Sequence, residues 1–200
     1  MPAEHPDDAA TIGTWHGVRV DVAPRDAVSA EVAVASAGVF MREIGRDRPV
    51  GGLGNLDAAL GGAITRLRAD GIFRAGLGEV LTLSAPAPPI HATTVLAIGL
   101  GDPAVWTPAT MRHAVAAAVR ETIRLDAVSA AFAPSLLDSG LAQDTLAGTP
   151  DAMLGGLFDA LPRDRPPPAT LRRWVFCAGA ARFDAVVEVF RAAYDRLSAS

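Results

Sequence analysis

Thr93-Thr94-Val95-Leu96-Ala97-Ile98-Gly99, running on into Leu100-Gly101-Asp102, is the stretch that decides the fold. A short apolar run bounded by turn residues reads as a β-strand. Just downstream, Thr107-Pro108 supplies a helix cap and a first-turn proline, and Met111, Val115, Val119 and Ile123 recur on one helical face. Just upstream, Glu79 to Leu83 forms another short apolar run, separated from the first by a turn carrying Pro86, Pro88 and Pro89. The local order is therefore strand, strand, helix.

Working outward, Val18 to Val22 and Val32 to Ala35 flank the polar segment Pro24 to Ser29, the pattern of two paired strands. Gly51, Gly52 and Gly54 make a flexible loop. Asn55 is placed to cap one helix that carries Leu56, Leu60, Ile64 and Leu67 until Asp70-Gly71 ends it. Toward the C-terminus, Val128 to Ala133 reads as a strand and Pro134 to Gly140 as a loop. A helix with Met153, Leu154, Leu157 and Phe158 stops at Pro162, and a proline- and arginine-rich linker spans Arg163 to Thr170. Leu171 to Ala178 is a last strand before a closing helix faced by Phe183, Val186, Val187, Phe190, Tyr194 and Leu197. About six strands and four helices in alternation predict an α/β fold with a largely parallel sheet covered by helices. Residues 1–13 read as a frayed tail and 14–200 as one domain.

Composition narrows the chemistry. Half of the 200 residues are hydrophobic, enough for one sizeable core. A net charge of -4 argues against a general binder of nucleic-acid backbone. All 18 basic residues are arginine, so a phosphate-loop lysine, a Schiff-base amine and a lysine general base are excluded. Cys177 is the single cysteine, which rules out an internal disulfide and suits a reducing cytoplasm. The acidic Met1 to Asp8 does not have the order of a secretory signal, and no stretch is apolar for long enough to span a bilayer.

Three segments in order carry a resemblance: Leu56-Asp57-Ala58-Ala59-Leu60 running to Gly71, Gly78 and Leu83; Val95-Leu96-Ala97-Ile98-Gly99-Leu100-Gly101; and Leu171-Arg172-Arg173-Trp174-Val175-Phe176. From about Gly17 to the C-terminus the chain resembles the N-terminal domain of the leucyl aminopeptidase family. The resemblance implies a macrodomain-like three-layer sandwich, a mixed sheet of about six strands with helices on both faces. It also implies that the two-metal catalytic domain of that family lies outside this chain, so no residue here inherits a catalytic or metal role. No cofactor is expected.

The candidate residues are therefore those of a binding site. Gly51, Gly52, Gly54 and Asn55 form a loop at a helix N-terminus, where free N–H groups and the helix dipole suit an anion. In the macrodomain reading Ser36 and Gly38 end one strand, and Ser135, Asp138, Ser139 and Gly140 follow another, so both loops could border a crevice with the glycine loop. That crevice would suit ADP-ribose or a related nucleotide metabolite. Typical ADP-ribose binders carry asparagine at the strand end, whereas Asn55 is the only asparagine here, and this departure counts against both binding and hydrolysis. Arg163, Arg165, Arg172 and Arg173 make the densest basic cluster, a candidate surface for a protein partner. His5, His16, His91 and His113 have no metal-ligand spacing, and no Gly-x-Ser-x-Gly elbow occurs. The leading expectation is a non-catalytic accessory or regulatory domain acting through a protein partner or self-association; the alternative is a macrodomain-like binder or hydrolase of ADP-ribose or a related nucleotide metabolite.

Overall fold

The computed structural model describes residues 9–136, 139–142, 146–162, 170–180 and 182–199. Its elements are β1 (Ala10–Trp15), β2 (Val18–Ala23), β3 (Val34–Phe40), α1 (Gly51–Ala59), α2 (Ala63–Ala69), β4 (Val80–Ser84) and β5 (Thr94–Gly101), followed by α3 (Pro108–Arg124), β6 (Ser129–Ala133), α4 (Thr149–Ala160), β7 (Arg173–Cys177) and α5 (Phe183–Ser198). The strands form one mixed sheet in the order β1-β2-β7-β6-β3-β5-β4. The five inner strands are mutually parallel, and the edge strands β1 and β4 pair antiparallel to their neighbours.

Both faces of the sheet are buried, as parallel strands require. Along β5, Leu96 and Ile98 point into a core shared with Met111, Val115 and Val119 of α3. The alternate residues Val95 and Ala97 point to the opposite side, against Leu53 and Leu56 of α1 and Ile64 of α2. The three-layer, macrodomain-like sandwich expected from the sequence is the fold observed. Among the described residues no helix is long and apolar enough to cross a membrane.

Three local expectations are corrected. Val18–Val22 and Val32–Ala35 are not partners, because β7 and β6 lie between β2 and β3. Two apolar runs close in sequence suggest a hairpin, but here each finds a parallel partner far along the chain, β2 with β7 and β3 with both β5 and β6. Residues Ala10 to Gly13, read as part of a tail, belong to β1, where Thr11 donates its hydroxyl to Asp21 at 2.8 Å. The seventh strand was hidden because it is short and largely polar on its exposed side.

The single helix expected after Asn55 is two. Gly61 and Gly62 adopt φ of +63° and +77°, which ends α1 and restarts the chain in a new direction. Asn55 lies inside α1 and is not its cap; Val50 occupies that position without a side-chain bond. The cap comes from elsewhere. Buried Asp57 accepts the N–H groups of Ile64 at 2.9 Å and Thr65 at 3.2 Å, so a residue of α1 satisfies the first turn of α2. Asp57→Ala removes the acceptor of three donors, the Ile64 and Thr65 N–H groups and the Thr65 hydroxyl; we expect a loss of about 1–2 kcal/mol, read as a lower midpoint in urea with an unchanged slope.

Candidate functional site

Parallel strands end together, and the space beyond their C-terminal ends is where an open α/β sheet leaves a crevice. Here β2, β6 and β7 end at Ala23, Ala133 and Cys177, and beyond them lies a cavity of about 380 Å³. Its strand-end rim is formed by Arg25 and Asp26, by Ala133 to Leu136, and by Cys177 to Gly179. Gly51, Gly52 and Asn55 of α1 close one side. Leu146 with Thr149, Pro150 and Met153 of α4, and Val186 with Phe190 of α5, close the other. Phe190 is held by packing on Phe176, with ring centroids 5.2 Å apart.

The walls are mainly apolar, and Asp26 is the acid among them. Burial would raise the pKa of Asp26, but hydrogen bonds from the Ser29 N–H and hydroxyl, the Asn55 side chain and the Val28 N–H outweigh it and hold the carboxyl below its ordinary value. Its Oδ1 accepts from the N–H of Ser29 at 2.9 Å, the Ser29 hydroxyl at 2.8 Å and the N–H of Val28 at 3.1 Å. Because the folded value lies below the unfolded one, this group stabilises the fold above the ordinary carboxylate pKa and loses that contribution as pH falls through the folded value. At neutral pH Asp26 is therefore an ionised, acceptor-only group beside an apolar space.

Beside Asp26 the first turn of α1 has the features of an anion site. Gly51 has φ of +59°, and the leading N–H groups of a helix have no acceptor within it. A Cβ on Gly52 would meet nothing closer than Asp26 Cβ at 3.8 Å, so the backbone of this turn is open to an approaching group. Cys177 faces the same cavity. Burial first, and the nearby Asp26 charge second, push its thiol up to about 12 against a smaller opposing effect of Arg25, so it is a neutral apolar wall at physiological pH.

Of the residues expected from the sequence, Gly51, Gly52, Asn55 and Ser135 do line this crevice. Asn55 does so by holding Asp26 rather than by capping α1. Ser36 does not: its hydroxyl donates to the Ala131 carbonyl at 2.6 Å in the middle of the sheet, tying β3 to β6. Gly38 is a packing position where a Cβ would lie 2.9 Å from both Leu100 Cδ1 and the Pro134 carbonyl oxygen. Gly54 is pressed against the Pro49 carbonyl, Ser139 donates to the Leu136 carbonyl at 2.6 Å, and Gly140 packs on Ile44. Asp138, Arg163 and Arg165 lie outside the described residues. Arg172 donates to the Leu171 carbonyl. Arg173 binds the buried carboxylate of Asp21 at 2.6 Å, which makes it part of the β2–β7 seam.

Asp26, Thr149, Met153 and Phe190 were missed. Asp26 had one available signal, the Asp-x-x-Ser spacing of a loop that binds its own backbone. The α4 and α5 residues had none, since Met153 and Phe190 look like any other core positions of an amphipathic helix.

The three layers and the strand-end crevice define a macrodomain-like α/β module. In keeping with this, a Trypanosoma brucei macrodomain solved in complex with ADP superposes with a TM-score of 0.62 at 14% identity, covering 87% of this chain and 68% of that one. The tomato leucine aminopeptidase mutant K354E superposes with a TM-score of 0.62 at 16% identity over 86% of this chain and 35% of its own. The bottromycin maturation enzyme BotP, solved with manganese, does so with a TM-score of 0.50 at 25% identity over 78% and 29%. This chain thus spans about a third of the length of the aminopeptidase. The sequence pattern of the cytosol aminopeptidase family, N-terminal domain, matches residues 38–152, and the chain belongs to that family. No curated protein sequence matches it.

The Cys177 environment has a direct consequence. With a thiol pKa of about 12, the thiolate fraction at pH 8 is about 10⁻⁴. Alkylation by iodoacetamide at that pH is expected to be on the order of a thousandfold slower than for an ordinary exposed thiol and to become fast in denaturant. Labelling of the native protein at the ordinary rate would show that the crevice thiol is ionised or freely exposed.

Proposed function

We propose that this chain is a non-catalytic binding domain whose strand-end crevice takes a nucleotide metabolite such as ADP or ADP-ribose. The observation that supports it is the open cavity of about 380 Å³ with an ionised carboxylate and a helix N-terminus on its rim. The leading N–H groups of α1, at Gly51 and Gly52, suit a phosphate, and Arg25 is the cation on the same rim. Asp26 can only accept, so it suits a base carrying an amino group, and Met153, Val186 and Phe190 suit the flat apolar body of that base. The macrodomain solved with ADP lends this reading the analogy of a shared fold. Among the described residues of the crevice no nucleophile is paired with a base: Ser135 donates weakly to the Ala133 carbonyl at 3.5 Å, and the Cys177 thiol is protonated. Self-association is a second reading, favoured by the edge strand β4, which is not among the strands whose ends form the crevice.

Thermal denaturation with ADP-ribose and ADP tests the first reading. A ligand at a thousand times its dissociation constant stabilises by about 4 kcal/mol, a shift of several degrees. Gly52→Leu, which fills the space beside Asp26, and Asp26→Ala, which removes the acceptor, are each expected to weaken binding at least tenfold. Binding should also fall as acid protonates Asp26, because only the ionised carboxyl is purely an acceptor. The absence of a shift with either ligand at millimolar concentration would sink the reading.

A further inference from the structure

We infer that two copies of this chain pair through their β4 strands, antiparallel about a two-fold axis at Thr82, to make one continuous sheet. The inference starts from the two edges of the sheet, which are built differently. At the β1 edge the register with β2 is broken by a bulge between Thr11 and Gly13. The Tyr194 ring lies so close to Gly13 that no side chain fits there, and its hydroxyl takes the Thr14 carbonyl at 2.7 Å. Bulges and covering side chains are the usual means by which an edge is kept from pairing. The β4 edge is protected only at its start, where a bulge sets Gly78, with φ of +76°, and the charged Glu79 opposite Gly99; beyond it Val80-Leu81-Thr82-Leu83-Ser84 is regular, with no charge, no proline and no further bulge in its pairing with β5.

The backbone of β4 then dictates how a partner would sit. The Gly99 N–H donates to the Glu79 carbonyl at 2.8 Å and the Ala85 N–H to the Thr93 carbonyl at 2.9 Å. Antiparallel bonding alternates, so residues 79, 81, 83 and 85 face β5 while Val80, Thr82 and Ser84 turn their N–H and C=O groups outward. Among the described residues no backbone bond to these outward groups is recorded. Three outward residues centred on Thr82 are self-complementary: Thr82 opposes Thr82 of a second copy, and Val80 opposes Ser84 in both directions. Each such opposed pair exchanges two bonds, so the contact forms six.

Charge does not oppose this arrangement. Glu121 of α3 lies beside the axis, since Thr82 donates to it at 3.2 Å, but Arg124 neutralises it with two bonds of 2.8 and 2.6 Å. Leu81 and Leu83, packed against the α1/α2 side and part-exposed at the rim, alternate across the seam and would lose their water contact. This contact is independent of the crevice, which opens at the ends of β2, β6 and β7.

Single-cysteine cross-linking reads the register. Thr82→Cys brings two sulfurs together at a position where opposed Cα atoms are about 5.5 Å apart, within disulfide range. Ser84→Cys, whose own copy lies about 13 Å away, is the control, and buried Cys177 does not interfere. Under mild oxidation we expect Thr82→Cys to give at least tenfold more disulfide dimer than Ser84→Cys, and a mixture of Val80→Cys with Ser84→Cys to give the mixed dimer. Light scattering on the unsubstituted chain should show a mass rising with concentration from 20.6 kDa toward about twice that value. Thr82→Pro, which removes an outward N–H and the hydroxyl bond to Glu121 but no backbone bond to β5, should hold the chain at the monomer mass. Equal cross-linking at residues 82 and 84, or a monomer at every concentration up to the millimolar range, would overturn the inference. Neither result bears on ligand binding in the crevice, so the two readings fail separately.

Discussion

The pairing of β2 with β7 is the contact on which the rest of the structure depends. It joins Arg19–Ala23 to Arg173–Cys177, residues some 150 positions apart, in parallel register. Asp21 secures that register from within: its side chain is almost fully buried, yet it accepts from Thr11 on β1, Arg19 on its own strand and Arg173 on β7. A buried carboxylate is costly unless it is paired and hydrogen-bonded, and a slip of one residue would turn it toward the apolar core. The same register brings the loop after β2 level with the end of β7, which is why Asp26 and Cys177 share one cavity.

The two faces of the sheet are packed unequally. The side toward α3, α4 and α5 carries the large residues Trp174, Phe132, Phe176, Leu96 and Ile98. The side toward α1 and α2 is dominated by alanine, with Ala35, Ala37, Ala97, Ala131 and Ala133 all buried. Small side chains let α1 and the loop segments lie close to the strands. At Gly99 the approach is by backbone alone, since a Cβ would come within 1.9 Å of the Gly76 carbonyl oxygen. Close approach on this side brings the first turn of α1 to the crevice rim, where Gly52 sits beside Asp26.

Membership of an aminopeptidase family and the shape of a macrodomain are compatible because neither concerns the metal chemistry of the larger proteins. What this chain shares with them is a sandwich and its strand ends. Its crevice is largely apolar, with charge confined to Arg25 and Asp26 at the rim. In the proposed reading such a site holds a ligand in one orientation, and the protonated Cys177 adds surface rather than reactivity.

Local patterns in the sequence determined the element types. The apolar run at Thr93–Gly99, the Thr107-Pro108 cap and the periodic faces of α3 and α5 each depend on residues within a few positions of one another, and β5, α3 and α5 lie where those patterns put them. Gly51, Gly52 and Gly54 read as a loop but form the first turn of α1, where Gly51 and Gly52 do reach the crevice. Tertiary structure alone decided strand order, the polar edge strand β1, the break between α1 and α2, and which candidate residues meet. Ser36 and Gly38 look like site residues in a linear reading but are consumed by the sheet, because β3 runs on to Phe40 and a small residue within a strand serves tight packing as readily as it serves a ligand. Asp26, Met153 and Phe190 converge only because strand pairing over long sequence separations sets their loops and helices side by side, and no local period records such a pairing.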